Sequence, residues 1–456
     1  MKNLSLMLGG TLALLAGCSR PGGTGNTDAG THVAWSRNAT IYEVNIRQYT
    51  PQGTFKAFEP ELPRLQKMGV NILWLMPINP PGIKNRKGSL GSYYSVSDYL
   101  KINPEYGTKK DFINLVKKAH ELGMKVIVDW VANHTSWDNK LITSHPEWYK
   151  KDASGKIIPP VADWTDVAAL DYSQPGLREY MTDAMRYWIR EADIDGYRCD
   201  VAGMLPVSFW HEAIPILQKE KPLFMLAEDE SPRIHDTGYF DATYSWELYH
   251  AMNAVAQGKK PATAIDSVYA AEVKKFAGDA YRMRFTSNHD ENSWNGTEFE
   301  RLGEGARTFA VLSFTFPGIP LIYSGQESAM NRRLRFFDKD TIPWGNYPLE
   351  PFYKKLTELK SMNNLLDAGN AGGKFIKVPT SGDQFVYAFL RQTAQKQMFV
   401  VLNLSGQSQT VVLKGSDFAG DYKETFTGSN HTFTKGEKLM LGAWGYQVYI
   451  GDYQKK

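Results

Sequence analysis

Two hydrophobic rhythms alternate along this chain. Short runs rich in apolar and branched residues stand at 41–46, 71–75, 125–129, 194–200, 223–228, 240–244, 282–286 and 319–323. Such runs suit parallel strands covered on both faces. Between them, apolar residues recur at helical spacing near 57–68, 110–122, 176–191, 209–219, 262–276, 305–314 and 349–362. Gly69 and Gly123 stop the first two of these helices. The order strand–helix repeats roughly eight times over about 320 residues, which predicts a (β/α)8 barrel, an α/β fold, over an open doubly wound sheet. No glycine-rich phosphate loop follows the first strand, which weighs against a nucleotide-binding sheet.

Two stretches break the rhythm. Residues 134–171 are irregular and rich in Trp, Tyr, Pro and Asp, too long for an ordinary strand–helix loop. They predict a small excursion domain after the third strand, with the barrel over 35–133 and 172–367. From 368 to 456 the pattern becomes short alternating strands (384–390, 398–404, 410–413, 446–450) punctuated by Gly, Asn and Ser. That predicts a C-terminal all-β sandwich with no chemistry of its own.

The start of the chain reads differently again. Lys2 precedes an apolar run over 4–16, too short to span a bilayer as a mature helix. The run ends Leu15-Ala-Gly-Cys18 and resembles the bacterial lipoprotein box. The resemblance implies a signal peptide over 1–18 and lipidation of Cys18. Residues 19–34 have no apolar period and predict a flexible tether. The expected location is an exported compartment, held to a bacterial membrane by a lipid. Ser19-Arg20 begins no acidic run, which points to the periplasmic face of the outer membrane.

Composition narrows the picture only a little. The chain has 456 residues and a net charge of +3, so charge argues for neither nucleic acid nor an acidic polymer as partner. Its two cysteines, Cys18 and Cys199, exclude a disulfide framework. Aromatic residues make up 13%, which suits a sugar cleft as well as a large core.

The chemistry gathers at strand ends. In Asp195-Gly-Tyr-Arg-Cys-Asp-Val-Ala-Gly203, Arg198 and Asp200 stand two apart on a strand and so share a side. A neighbouring cation favours an ionised acid, and a held carboxylate suits covalent attack on a sugar carbon. Barrel enzymes place reactive groups at the C-terminal ends of strands. The third strand ends Asp129-Trp-Val-Ala-Asn-His134, the fifth Ala227-Glu-Asp-Glu230, and the seventh Ser287-Asn-His-Asp-Glu-Asn292. Four acidic clusters thus converge on one mouth. Buried carboxylates cost several kcal/mol each unless neutralised, so such a set points to function.

The stretches Asp129-Trp-Val-Ala-Asn-His134, Gly196-Tyr-Arg-Cys-Asp200, Leu226-Ala-Glu228 and Phe285-Thr-Ser-Asn-His-Asp290 resemble the four signature regions of the alpha-amylase superfamily, glycoside hydrolase family 13. Gly91-Ser-Tyr-Tyr-Ser-Val-Ser-Asp-Tyr99, Ala169-Leu-Asp-Tyr172 and Gly318-Ile-Pro-Leu-Ile-Tyr-Ser-Gly-Gln326 add to the likeness, which runs from about residue 35 to the end. The resemblance implies Asp200 as nucleophile, Glu228 as general acid/base and Asp290 as a third carboxylate. Arg198 would stand beside the nucleophile, His134 and His289 would grip the sugar, Asp129 would order the site, and Tyr94 would stack under the sugar. A retaining glycosidase needs one carboxylate ionised and one protonated, about 5–5.5 Å apart. Arg198 favours a charged Asp200, and the charges of Asp200 and Asp290 favour a protonated Glu228.

The chain also departs from the pattern. Where many alpha-amylases carry a Lys-His pair, this one has Gly203-Met204. The resemblance offers Asn133 and Asp171 as ligands of a structural calcium, with the other oxygens unassigned; no cofactor is expected in the chemistry. Cys199 and Tyr323 read as packing residues and His120 as surface. Trp137, Trp148, Tyr149 and Trp164 read either as sugar platforms or as the packing of the excursion domain. The expected activity is hydrolysis of alpha-1,4 bonds in starch-like glucans or maltooligosaccharides with retention. Transglycosylation, a cyclomaltodextrinase or neopullulanase type of activity, and a non-catalytic sugar-binding barrel are the alternatives.

Overall fold

Strands of only three to six residues build the centre of this molecule. The computed structural model describes residues 32–453 apart from 236, 237, 277 and 363. The leader, Cys18 and most of the tether lie outside the described residues. Among those described, eight parallel strands close into a barrel: Ile41–Val44, Ile72–Leu75, Lys125–Trp130, Gly196–Cys199, Phe224–Ala227, Ala242–Tyr244, Tyr281–Arg284 and Ile319–Tyr323. They are called the first to eighth strands below. The first strand pairs with both the second and the eighth, which closes the ring.

Successive side chains along each strand alternate between the interior and the helical jacket. Ile41, Ile72, Trp74, Ile127, Phe224, Leu226, Met283 and Leu321 fill the interior. Their neighbours Tyr42, Leu73, Val126, Tyr197, Met225 and Ile322 face the helices. Arg282 and Arg284 also leave the seventh strand outward, and buried Glu272 of helix Ala264–Lys275 receives both. Burial alone would raise Glu272, but Arg284 and then Arg282 bring it down to about 2. The helix Lys109–Glu121 begins at a capping box between Thr108 and Asp111 and buries Phe112, Leu115, Val116 and Ala119.

The excursion domain is anchored by an antiparallel pair, His134–Ser136 with Val167–Ala169. Tyr149 is buried there with its hydroxyl against Thr135, and Trp148 stacks on His145. These two rings hold the small domain together. Trp137 donates to the Thr165 carbonyl, while Trp164 turns toward His134. At the C-terminus, a six-stranded antiparallel sheet faces a two-stranded one across Phe399, Phe418, Phe433, Val411 and Leu439. The other face of the large sheet, through Phe389, Val400 and Leu402, joins the same apolar core as the barrel's helices.

Some local expectations need correction. The helix over 57–68 is three pieces, Phe55–Phe58, Glu59–Glu61 and Leu62–Met68, because Pro60 and Pro63 supply no backbone N–H and restart the turn. Helix Trp246–Ala256 went unforeseen, though Leu248, Met252 and Val255 carry its period. His120 is not a free surface group: its Nε2 lies 2.6 Å from buried Asp195. The last residues assigned to the tether are packed, with His32 against Asp241 at 2.9 Å and stacked on Tyr281.

One glycine sets how closely two strands approach. Gly196 has φ of 153°, and a Cβ there would lie 1.9 Å from the Phe224 carbonyl oxygen on the adjacent strand. Neither backbone can yield without breaking the ladder. Gly196→Ala should therefore lose more than about 4 kcal/mol of stability, in the exceptional range for one substitution. Urea unfolding followed by circular dichroism measures this, and a wild-type midpoint would contradict the close approach.

Candidate active site

The mouth of the barrel is organised from beneath by one guanidinium. Arg198, on the fourth strand, has no exposed side-chain surface. Its Nη1 donates to Asp129 at 3.0 Å and to Asp200 at 2.9 Å. Its Nε donates to the Tyr244 hydroxyl at 3.1 Å. Its Nη2 comes within 3.0 Å of Glu228 Oε2, an ion-pair distance without hydrogen-bond alignment. The rings of Trp74, Tyr94 and Tyr244 surround it at 5.0 to 5.8 Å, so its charge sits in an aromatic collar.

Each carboxylate arrives by a different route. Asp129 is inside the third strand and also accepts from Trp74 Nε1 at 3.2 Å and from Tyr94 at 3.0 Å. Asp200 directly follows the fourth strand, and its amide donates to the Trp130 carbonyl at 3.0 Å. Glu228 directly follows the fifth strand, and its Oε2 accepts the Val201 amide at 2.7 Å. That contact requires an unusual backbone. Val201, β-branched, stands at φ 36° and ψ 46°, where glycine or asparagine would be at ease. Non-glycine residues held there store about 1–3 kcal/mol and tend to mark functional sites.

Asp290 enters from the seventh strand's loop, 3.3 Å from His289 Nε2 and more open than the others. His289 itself bridges two elements. Its Nδ1 lies 2.5 Å from Glu43 on the first strand, and its Nε2 lies 2.8 Å from the Tyr94 hydroxyl. Burial alone would lower its pKa, but the carboxylates of Asp290 and Glu43 raise it to about 9. His134 has no such partner, and burial brings it down to about 4. Two histidines of one site are thus held in opposite charge states at neutral pH.

Asp200, Glu228, Asp290, Tyr94 and His134 line one cavity of about 500 Å³. Asp129, Arg198 and His289 lie buried beside it. The charge expected of Asp200 from Arg198 alone does not survive the full set. Burial pushes its carboxyl well up, Glu228 pushes it further, and Arg198 offsets this only in part. Burial likewise raises Asp129 to about 6 against the pull of Arg198 and His289. The physical reason is that one guanidinium is shared by three carboxyls, so the cluster retains protons that an isolated pair would shed.

Asn133 offers its amide to His134 at 3.3 Å, and Asp171 accepts the Ser173 amide at 3.0 Å. Among the described residues, no group of three or more His, Cys, Asp or Glu is placed to hold a metal ion. Next to the cavity, the position read as a departure has a steric cause. A Cβ on Gly203 would lie 2.2 Å from the Asp229 carboxylate, so a side chain there requires Asp229 to leave its place. Cys199 is buried, and burial raises its thiol far above the range of a reactive thiolate.

Sequence reasoning missed Glu43, Trp74 and Tyr244. Glu43 had a signal: a lone carboxylate inside the apolar run Ile41-Tyr-Glu-Val44. It also missed Trp294, Phe336 and Phe337, which form the aromatic wall of the cavity with rings 5.1 to 5.6 Å apart. Trp294 lies in the short helix Glu291–Asn295 and Phe336 and Phe337 in a loop, none with an apolar period, so nothing in the pattern marked them.

The fold and its mouth now have counterparts. The family model "Alpha amylase, catalytic domain" matches residues 25–164 and 161–273, and "Alpha-amylase SusG C-terminal domain" matches 386–445. The chain belongs to the alpha-amylase family of glycosidases. A noncanonic maltogenic alpha-amylase, AmyB from Thermotoga neapolitana, is 31% identical with a TM-score of 0.85, over 92% of this chain and 100% of that one. An alpha-amylase from Lactobacillus plantarum is 33% identical with a TM-score of 0.82, over 91% of this chain and 99% of that one. Alpha-amylase MalA of Haloarcula japonica is 27% identical over 86% of this chain, which spans 59% of that protein's length.

His289 gives a pH test. Its folded pKa is raised, so the stability it contributes is complete below about 6.5, its ordinary value, and is lost as pH rises through about 9. Thermal unfolding should therefore weaken between these pH values in the wild type. Glu43→Gln, which removes one of the two raising carboxylates, should shift that loss to lower pH. Identical profiles for the two proteins would count against the Glu43–His289 pair.

Proposed function

We propose that the protein hydrolyses alpha-1,4-glucosidic bonds of starch-like glucans or maltooligosaccharides with retention, through a covalent glycosyl intermediate. The observation that carries this reading is the single cavity lined by Asp200, Glu228 and Asp290, with Arg198 underneath. Asp200 attacks the anomeric carbon. Glu228 protonates the departing glycosidic oxygen and then takes a proton from the water that releases the sugar.

The reaction draws on one arrangement of the shared proton: Asp200 charged and Glu228 neutral. Arg198 favours it, because its aligned hydrogen bond goes to Asp200 and its approach to Glu228 is unaligned. The Val201 amide engages Glu228 Oε2 and leaves Oε1 to carry the proton. His289, charged, donates to Glu43 and to the Tyr94 hydroxyl and so fixes that ring, and neutral His134, at the cavity wall, can donate to a sugar hydroxyl or accept from one. Asp290 binds the ring hydroxyls of the distorted sugar, Tyr94 stacks under it, and Asp129 holds Arg198 and Tyr94 in place. These steps use side chains and water only.

Asp200→Asn should remove turnover of maltoheptaose while leaving the thermal melting curve in place. Glu228→Gln should lower kcat by about 10²–10⁴-fold, the usual worth of a general acid, and by less on a substrate with an acidic leaving group. Chromatography of the products reads both. Products longer than the substrate would replace hydrolysis by glucosyl transfer, and full activity in Asp200→Asn would remove the nucleophile assignment.

We infer also that Cys18 carries the lipid anchor that holds the protein to the membrane, at its periplasmic face. The support is the run ending Leu15-Ala-Gly-Cys18. Wild-type protein should partition into a detergent phase and Cys18→Ala into the aqueous one. Aqueous partition of both would refute the anchor.

A further inference from the structure

Residues 83–90 leave the loop after the second strand and cross the rim of the site as a strap. One end is held by the excursion domain, where the amides of Ile83 and Lys84 donate to Asp138 Oδ2 at 2.7 and 3.2 Å. The other end is held by the loop after the eighth strand. There the amide and hydroxyl of Ser89 donate to Asp338 at 2.8 and 2.6 Å, and the Leu90 amide donates to the Phe337 carbonyl at 2.9 Å. Between these anchors Lys87 reaches the Asp163 carbonyl at 2.9 Å and the Asp166 carboxylate at 3.2 Å. Its ammonium lies 5.9 Å from the Phe337 ring centre. Both banks of the site are thus tied together at one end, and Lys87, Asp163, Asp166 and Phe337 line the same cavity as Asp200 and Glu228.

The barrel's order says which end this is. The strap follows the second strand and runs from the excursion domain, inserted after the third strand, to the loop after the eighth, so it spans the side of the ring that holds the first and second strands. Glu228 follows the fifth strand, diametrically opposite the first in a ring of eight. A general acid faces the leaving group. The departing sugar therefore lies on the fifth-strand side, and the sugar chain that stays on the enzyme runs toward the strap.

We propose that the strap closes this glycone end, so that the protein takes alpha-glucans by their non-reducing ends and releases short products of constant length. The proposal rests on the glucan-hydrolase reading above and names the part of the glucan that the site accepts. The cavity volume agrees: about 500 Å³ falls within the range of small-ligand sites, roughly 300–1,000 Å³, and suits a short stretch of sugar over a polymer running through. The wall is held chiefly by backbone amides on the Asp138 and Asp338 carboxylates, which are charge-assisted and directional bonds. Trp294, half exposed, and Phe336 supply the flat faces along that side.

The test compares two maltoheptaoses labelled at the reducing end. One is free at its non-reducing end, and the other carries a 4,6-O-ethylidene block there. The wild type should cut the free substrate with a kcat/KM about 10-fold or more above that for the blocked one, the scale on which a pocket rejects an added group. Its first products should be of one length. The double variant Asp138→Ala, Asp338→Ala removes both carboxylate anchors and touches none of the reacting groups. It should bring the ratio toward one while still cutting the free substrate. Equal rates in the wild type would overturn the closed end and leave the hydrolase reading standing. A ratio unchanged in the double variant would overturn the strap as its cause. No cleavage of either substrate would overturn the hydrolase reading and this one with it.

Discussion

A single buried cation stands under the whole site. The Arg198 side chain has no solvent-accessible surface, and a charge so placed is tolerable only with partners in good geometry. Those partners are Asp129, Asp200 and Glu228, which come from three different strands. The guanidinium therefore does two jobs with one set of bonds. It fastens the third, fourth and fifth strands at their reactive ends, and it sets how many protons the carboxyls keep. An ammonium in its place would lack the planar fork that reaches several carboxylates and a tyrosine at once.

Around this centre the site is held before any sugar arrives. His289 is kept charged by Glu43 and Asp290, and His134 is kept neutral by burial. The Val201 backbone is held in a strained conformation so that its amide meets Glu228. Such prior placement is what lets fixed dipoles act on a transition state without reorganising. The aromatic collar of Trp74, Tyr94 and Tyr244 keeps water off the guanidinium while leaving the cavity side of Asp200 open.

Much of this was legible from residues alone, for clear reasons. The barrel strands announce themselves because both of their faces are apolar, and all eight emerged within a residue or two of their observed ends. Asp129, Asp200, Glu228 and Asp290 were visible because a carboxylate ending an apolar run is costly without a purpose. What stayed hidden depends on several distant residues at once. The charge of Asp200 could not be read from Arg198, since Asp129 and Glu228 share that cation across strands. His120 looked like surface because nothing local shows Asp195 beside it. The strap was invisible because its anchors, Asp138 and Asp338, are 200 residues apart and lie in loops with no period.

The core shared between the barrel's helices and the C-terminal sheet bears on how the chain comes apart. Pattern and composition mark a seam near 368, yet Phe389, Val400 and Leu402 lie in one continuous apolar mass with Phe309, Leu312 and Phe316. Severing the polypeptide at that seam would lay bare a greasy flank of the catalytic half. The two halves are thus obliged to melt as one cooperative body, and shuffling the tail onto another barrel would succeed only if its mating surface travelled along.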